Sequence, residues 1–209
     1  MKPLLFIHIP KAAGTSIIKS LGCQERWRNA SHEMHDIDLP IDDNENLSFG
    51  HVDINEVRSR SLISDTQWNK YYKFCFVRNP WDRAVSLYEY IKKQGNQYMS
   101  FNSFVFNLPN TESVGFYNVN KFSQCQPQVK WIPEDIDYIG KVETIHSDIE
   151  RISQILNTEI THPKKNNVTK ERGSKHYHDY FPDTKEGQFL KDEVADFYSE
   201  DIKRFNYTF

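Results

Sequence analysis

Two short segments carry residue types suited to holding anions. In the first, Pro10-Lys11-Ala12-Ala13-Gly14-Thr15-Ser16, Lys11 supplies a full positive charge, Gly14 permits close backbone approach, and Thr15 and Ser16 offer hydroxyl donors. If this loop opens a helix, its backbone N–H groups and the positive end of the helix dipole point at the same anion. Together with Ala13, these residues make a phosphate cradle. It is not the nucleotide-triphosphatase loop GxxxxGK[ST], because here the lysine precedes the glycine. An ordinary strand-to-helix turn capped by Thr15 or Ser16 would use the same residues. The second segment runs Phe76-Val77-Arg78-Asn79-Pro80-Trp81-Asp82-Arg83-Ala84-Val85-Ser86. An arginine can grip one phosphate through two parallel hydrogen bonds, and a hydroxyl about two helical turns further on can bind the same group. A structural ion pair of Arg78 with Asp82 is the alternative.

The flanking patterns say which elements position these residues. The apolar run at residues 4–9, ended by Pro10, reads as a buried strand. Ile17, Ile18 and Leu21 then follow a helical pattern, with Gly22 as its stop. Residues 47–52 read as a second short strand ending near Gly50, and 54–61 as a helical turn or loop. The aromatic and β-branched run 71–78 is a third strand, with Arg78 at its end, where sheet ligands bind in such folds. Asn79-Pro80 stops it, and a helix with apolar positions at Ala84, Val85, Leu87, Tyr88 and Ile91 follows. Short helices are expected at 101–107 and 118–131, a strand at 136–140 and a helix at 143–156. The last is an amphipathic helix over 188–205 with Phe189, Val194, Phe197, Tyr198 and Ile202 on one face. Strands alternating with helices predict an α/β domain with a mostly parallel sheet, spanning residues 1–209 as one unit.

Composition narrows the classes. A net charge of -3 and a pI near 6.2 argue against a general nucleic-acid binder, so an anionic ligand must be met by local basic groups and amides. Cys23, Cys75 and Cys125 form no CxxC pair, which gives no support to a zinc site or a redox dithiol. Cys75, in the apolar run KFCFV, reads as core. Residues 23–46 carry an acidic cluster and read as a solvated excursion. The N-terminal apolar run is too short to span a membrane and lacks a signal-peptide cleavage pattern, which predicts a soluble cytoplasmic chain; an anchor removed from a longer precursor would leave the same sequence.

The order of motifs resembles a known family. PKAAGTS after a strand, then VRNPWDRAVSLY, looks like the sulfotransferase family whose members modify carbohydrates, including the heparan sulfate uronosyl 2-O- and chondroitin 4-O-sulfotransferase types. The segment Asp137–Ile145 resembles that family's aspartate-aromatic-Ile-Gly-basic-x-Glu stretch, and Tyr198–Phe209 its closing helix and tail. The resemblance implies a P-loop-kinase-like three-layer fold, a central sheet flanked by helices, and 3′-phosphoadenosine 5′-phosphosulfate (PAPS) as donor. By matching position, Lys11, Ala13, Gly14, Thr15 and Ser16 would hold the 5′-phosphosulfate, and Arg78 and Ser86 the 3′-phosphate. The acceptor implied is a hydroxyl, that of a glycan, with the bisphosphate PAP left as product.

Such a transfer is an in-line displacement resembling phosphoryl transfer. Lys11 can neutralise charge on the leaving phosphate, so no metal is expected. The acceptor must lose a proton, and His51, after Gly50 at a strand end, stands where the family carries its base. His8 reads as a core histidine, His32 and His35 as surface groups, and His176 and His178 as part of a segment closing over nucleotide or acceptor. Glu89 and Glu143 are carboxylate alternatives. The basic stretch 164–175 reads as a lid or as a solvated loop. Tyr98, Phe101, Phe104, Phe106, Tyr117 and Trp131 could stack on sugar faces, though aromatic residues so spaced are more often core. Two other functions stay open: a small-molecule kinase on the same scaffold, and a binding protein without turnover.

Overall fold

The computed structural model describes residues 2–26, 45–50, 54–59, 61, 63–93, 98–110, 118–119, 122–157, 159–161 and 175–209. In chain order the strands are β1 (Leu4–His8), β2 (Gln24–Arg26), β3 (Leu47–Gly50), β4 (Tyr72–Val77), β5 (Asn118–Val119), β6 (Phe122–Ser123) and β7 (Tyr138–Lys141). The helices are α1 (Gly14–Leu21), α2 (Ile54–Ser59), α3 (Asp65–Lys70), α4 (Pro80–Lys93), α5 (Phe101–Asn107), α6 (Ile145–Leu156), α7 (Lys185–Phe197) and α8 (Ser199–Phe205). The chain gathers into two compact units, Met1–Val77 with Trp131–Asn166, and Arg78–Lys130 with Asn167–Phe209.

The first unit contains the expected parallel sheet. Its strand order is β2-β3-β1-β4-β7, and every pairing is parallel, with Phe6 opposite both Ser48 and Phe74. Every residue of β1 and β4 is buried, as expected of parallel strands covered on both faces. Leu4, Phe6, Tyr72, Phe74 and Phe76 form one face and pack with Ile17, Ile18 and Leu21 of α1 and Ile149 and Ile152 of α6. On the opposite face Lys73 lies over the Trp68 ring of α3 at 5.4 Å, with its Nζ 3.5 Å from Asp137. Helix α1 ends at Gly22, whose φ of 60° lets its N–H reach the Ile18 carbonyl, as the sequence predicts.

Among the described residues, the second unit has helices and turns apart from the antiparallel pair β5 and β6. Asn79 starts α4 by accepting from Trp81 N–H at 3.0 Å, and Pro80 occupies the first helical position, where its missing N–H costs nothing. Helix α5 has the bounds read from sequence, with Ser100 capping the Ser103 N–H.

Three expectations change. The predicted helix over 118–131 is instead the β5–β6 pair and a short 3-10 turn at Gln128–Trp131. The polar stretch after α1 opens with an edge strand, β2, because β3 offers it an unpaired backbone ladder. The closing helix is two helices meeting at Tyr198; its buried positions are Leu190, Val194, Tyr198, Asp201 and Phe205, whereas Phe189 is 45% exposed. Val194 and Tyr198 are buried as expected, whereas Leu190 takes the place of Phe189, which does not keep helical spacing with Val194.

The end of β7 is fixed by one carboxylate. Asp148 accepts from the Tyr138 hydroxyl (2.6 Å), the Lys141 N–H (2.9 Å) and the Thr144 hydroxyl (2.7 Å). Burial and then this bond to Asp148 push the Tyr138 hydroxyl up to about 12. Because the folded value lies above the unfolded one of about 10, this contribution to stability is intact below about pH 10 and lost as pH rises through 12. Urea unfolding between pH 9 and pH 12 should therefore fall less steeply for Tyr138→Phe than for the unaltered chain. Equal slopes would contradict this assignment.

Candidate functional site

Strands β1 and β4 are neighbours and parallel, so their carboxyl ends lie at the same edge of the sheet. Each motif departs from one of those ends, the position where open α/β sheets bind ligands.

The first motif turns sharply between β1 and α1. Lys11 and Ala13 both adopt left-handed backbone, with φ of 64° and 61°, a conformation that costs a non-glycine residue about 1–2 kcal/mol. The turn is held by Ala12 N–H on the Ile9 carbonyl at 3.3 Å and Ser16 N–H on the Ala13 carbonyl at 3.0 Å. Gly14 is required here, since a Cβ at this position would lie 1.9 Å from Nε2 of His8. His8 is accordingly a core residue, 6% exposed. Ala13, not Thr15 or Ser16, is the N-cap of α1, and this cap makes no side-chain hydrogen bond. The capped-turn alternative therefore fails. Thr15 and Ser16 sit in the first helical turn, Ser16 buried and Thr15 half-buried, and a helix start of this kind turns its dipole, and those amides not taken within the turn, toward an anion.

The second motif realises the ion pair left open by the sequence. Nε of Arg78 donates to Asp82 Oδ2 at 2.8 Å, and both side chains are mostly buried, 17% and 19% exposed. Asp82 and Ser86 are four positions apart on α4, hence on one face a turn apart. The bond thus holds Arg78 against Asp82 in the first turn of α4, and Ser86, one turn on, is buried. The bond through Nε holds the orientation of the planar guanidinium, on which two-pronged phosphate binding depends.

The segment 124–129 is held by buried side chains of the same unit, a role that the sequence does not assign to any of them. Arg83, fully buried, donates to the carbonyls of Gln124 (2.8 Å) and Gln126 (3.1 Å). The Tyr198 hydroxyl donates to the Cys125 carbonyl at 2.8 Å, and burial pushes that hydroxyl far up. Asp201, also fully buried, accepts from Gln128 N–H (2.8 Å), Gln128 Nε2 (3.2 Å) and Val129 N–H (2.9 Å). Burial pushes the Asp201 carboxyl up, opposed by the Arg83 charge and these donors. Such residues read as ordinary polar positions in sequence; only Pro127 beside Gln128 marks a fixed turn.

Among the remaining candidates, His51 and the basic stretch through Ser174 lie outside the described residues, as do His32, His35 and Tyr117. His176 accepts from the His178 N–H, and His178 stacks on Phe209 at 4.6 Å. Glu89 is buried and accepts from the Tyr180 hydroxyl at 2.6 Å. Of the aromatic residues offered for sugar stacking, Phe101, Phe104 and Trp131 are core, while Tyr98 and Phe106 are exposed. All three cysteines are buried. Among the described residues no cluster of His, Cys, Asp or Glu could hold a metal, and no helix is long and apolar enough to cross a membrane.

The profile of the sulfotransferase family matches residues 2–208, and the chain belongs to that family. Its chemistry is the transfer of a sulfonate group. An uncharacterized protein of Archaeoglobus fulgidus is 30% identical over 94 residues, covering 44% of this chain and 73% of that protein. No solved structure gives a significant match.

Two substitutions test the local accounts. Gly14→Ala should destabilise by about 1–3 kcal/mol, because the His8 ring must leave its place. Asp201→Asn replaces one acceptor oxygen by an N–H2 group facing N–H donors and should cost about 1–3 kcal/mol. Denaturant unfolding reads both, and an unchanged midpoint would refute the corresponding contact.

Proposed function

We propose that this sulfotransferase takes sulfonate from 3′-phosphoadenosine 5′-phosphosulfate and passes it to a hydroxyl, that of a carbohydrate, the whole chain acting as one catalytic domain. The observation that carries the donor reading is the uncapped start of α1 behind the left-handed turn of Lys11 and Ala13. Lys11, Ala13, Gly14, Thr15 and Ser16 are the proposed ligands of the 5′-phosphosulfate, and Arg78 and Ser86 those of the 3′-phosphate.

Each side chain has a defined part. The amides at the start of α1 and the Lys11 ammonium meet developing negative charge in a fixed arrangement, needing no reorganisation as the reaction proceeds. His51, next after the last residue of β3, takes the proton from the acceptor hydroxyl as its oxygen bonds to sulfur. Lys11 neutralises the phosphate oxygen to which the breaking S–O bond returns its electrons. No metal is called for, since the transferred group carries less charge than a phosphoryl group. The carbohydrate acceptor is supported by family likeness and by exposed Tyr98 and Phe106.

Transfer from sulfur-labelled donor to a panel of glycans tests the reading directly. Lys11→Ala should lower kcat by about 10²–10³-fold. His51→Ala should keep affinity for adenosine 3′,5′-bisphosphate and lower kcat by about 10²–10⁴-fold. Normal turnover in the latter removes His51 from the mechanism. Tighter binding of ATP than of the bisphosphate would overturn the donor assignment in favour of a kinase.

A further inference from the structure

We propose that Gln128 is the positioning residue for Arg78, and through it sets the preference of this protein for nucleotides that carry a 3′-phosphate. The inference rests on the donor reading above and adds a residue that reading does not contain.

The geometry is specific. The carboxamide oxygen of Gln128 accepts from the Arg78 N–H at 2.8 Å, and its Nε2 donates to the Arg78 carbonyl at 2.9 Å. One side chain thus takes both backbone polar groups of one residue. The ladder of β4 with β7 ends at Val77, so Arg78 is the first residue beyond it. The Gln128 carboxamide does there what the next strand would otherwise do.

Gln128 is itself held in register. It is fully buried, its second Nε2 hydrogen points to Asp201 at 3.2 Å, and its own N–H donates to the same carboxylate oxygen at 2.8 Å. Those acceptors fix which end of the amide is nitrogen, because Arg78 N–H can be met only by the oxygen. With the Arg78 backbone clamped by Gln128 and its Nε by Asp82, the guanidinium is tied at both ends of its side chain. The long, rotamer-rich arm then loses little further freedom when it grips an anion, which is how preorganisation converts into affinity. The chemical class recognised is a phosphate monoester on the ribose of an adenine nucleotide.

The test compares the affinities of adenosine 3′,5′-bisphosphate and adenosine 5′-monophosphate, by calorimetry, in the unaltered chain and in Gln128→Met. Methionine keeps the length and removes both bonds to Arg78. The unaltered chain should prefer the bisphosphate, and Gln128→Met should lose about tenfold of that preference, the loss expected of one misplaced charged hydrogen bond. Affinity for the monophosphate should stay within about twofold, which a general loosening of the fold would not allow. If Gln128→Met fails to fold, Gln128→Asn keeps a carboxamide for Asp201 but is one methylene too short to serve Arg78, and should show the same loss. A folded variant of either kind with the full preference overturns the positioning role and leaves the donor reading intact. An unaltered chain with no preference for the bisphosphate overturns both.

Discussion

Strand β1 is hydrogen-bonded in parallel on both sides, to β3 and to β4, and all of its residues are buried. A strand so enclosed has no freedom in where it ends, and the chain leaving it must turn at once to lay α1 back over Phe6 and Phe74. That turn cannot be made with ordinary backbone. Lys11 and Ala13 go left-handed, and Gly14 passes under the His8 ring where a Cβ has no room. The strain totals a few kcal/mol at about 1–2 kcal/mol per residue, a cost carried by burial of the aromatic face of the sheet against α1 and α6. The start of α1 is thus placed by the sheet, and the anion-binding role proposed for the loop depends on that placement as well as on the loop's own residues.

The second unit reaches rigidity by a different route. Its segment 124–129 has little regular structure, so its carbonyls and amides are met by Arg83, Tyr198 and Asp201. Burying Arg83 and Asp201 costs several kcal/mol per charge before their partners are counted, and such clusters often stabilise no more than apolar residues of the same shape would. Their value lies in geometry. Fully satisfied buried networks hold one arrangement, because leaving any member unmet is expensive. Here the fixed arrangement includes the Gln128 carboxamide, which in turn seats the Arg78 backbone.

The ion pair of Arg78 with Asp82 is structural, and it is compatible with the binding role proposed for Arg78. An exposed pair would contribute under about 1 kcal/mol. This one is mostly buried and joins a residue at the strand end to the first turn of α4, where a carboxylate also complements the helix dipole. The pair fixes Arg78 against the first turn of α4, and Asp82 shares a face of that helix with Ser86, so the ion pair does not compete with the phosphate role proposed for Arg78.

What the sequence determined by itself is whatever depends on near neighbours in the chain. The strand-loop-helix units at 4–21 and 72–93, helix α5 at its stated bounds and the stop at Gly22 all follow from local periodicity, Gly and Pro positions and caps, and the family motifs around Lys11 and Arg78 are contiguous strings. The tertiary structure alone decided which polar residues are interior. Gln128 and Asp201 lie 50 and 123 positions from Arg78 in the numbering, and nothing in their own neighbourhoods distinguishes them from solvated residues. A buried polar group is satisfied by a partner brought to it by folding, so its role is invisible until that partner is known. The same reason accounts for β2, which pairs because β3 presents it an edge more than twenty positions further along the chain. The choice of Leu190 over Phe189 is by contrast legible in the helical spacing to Val194.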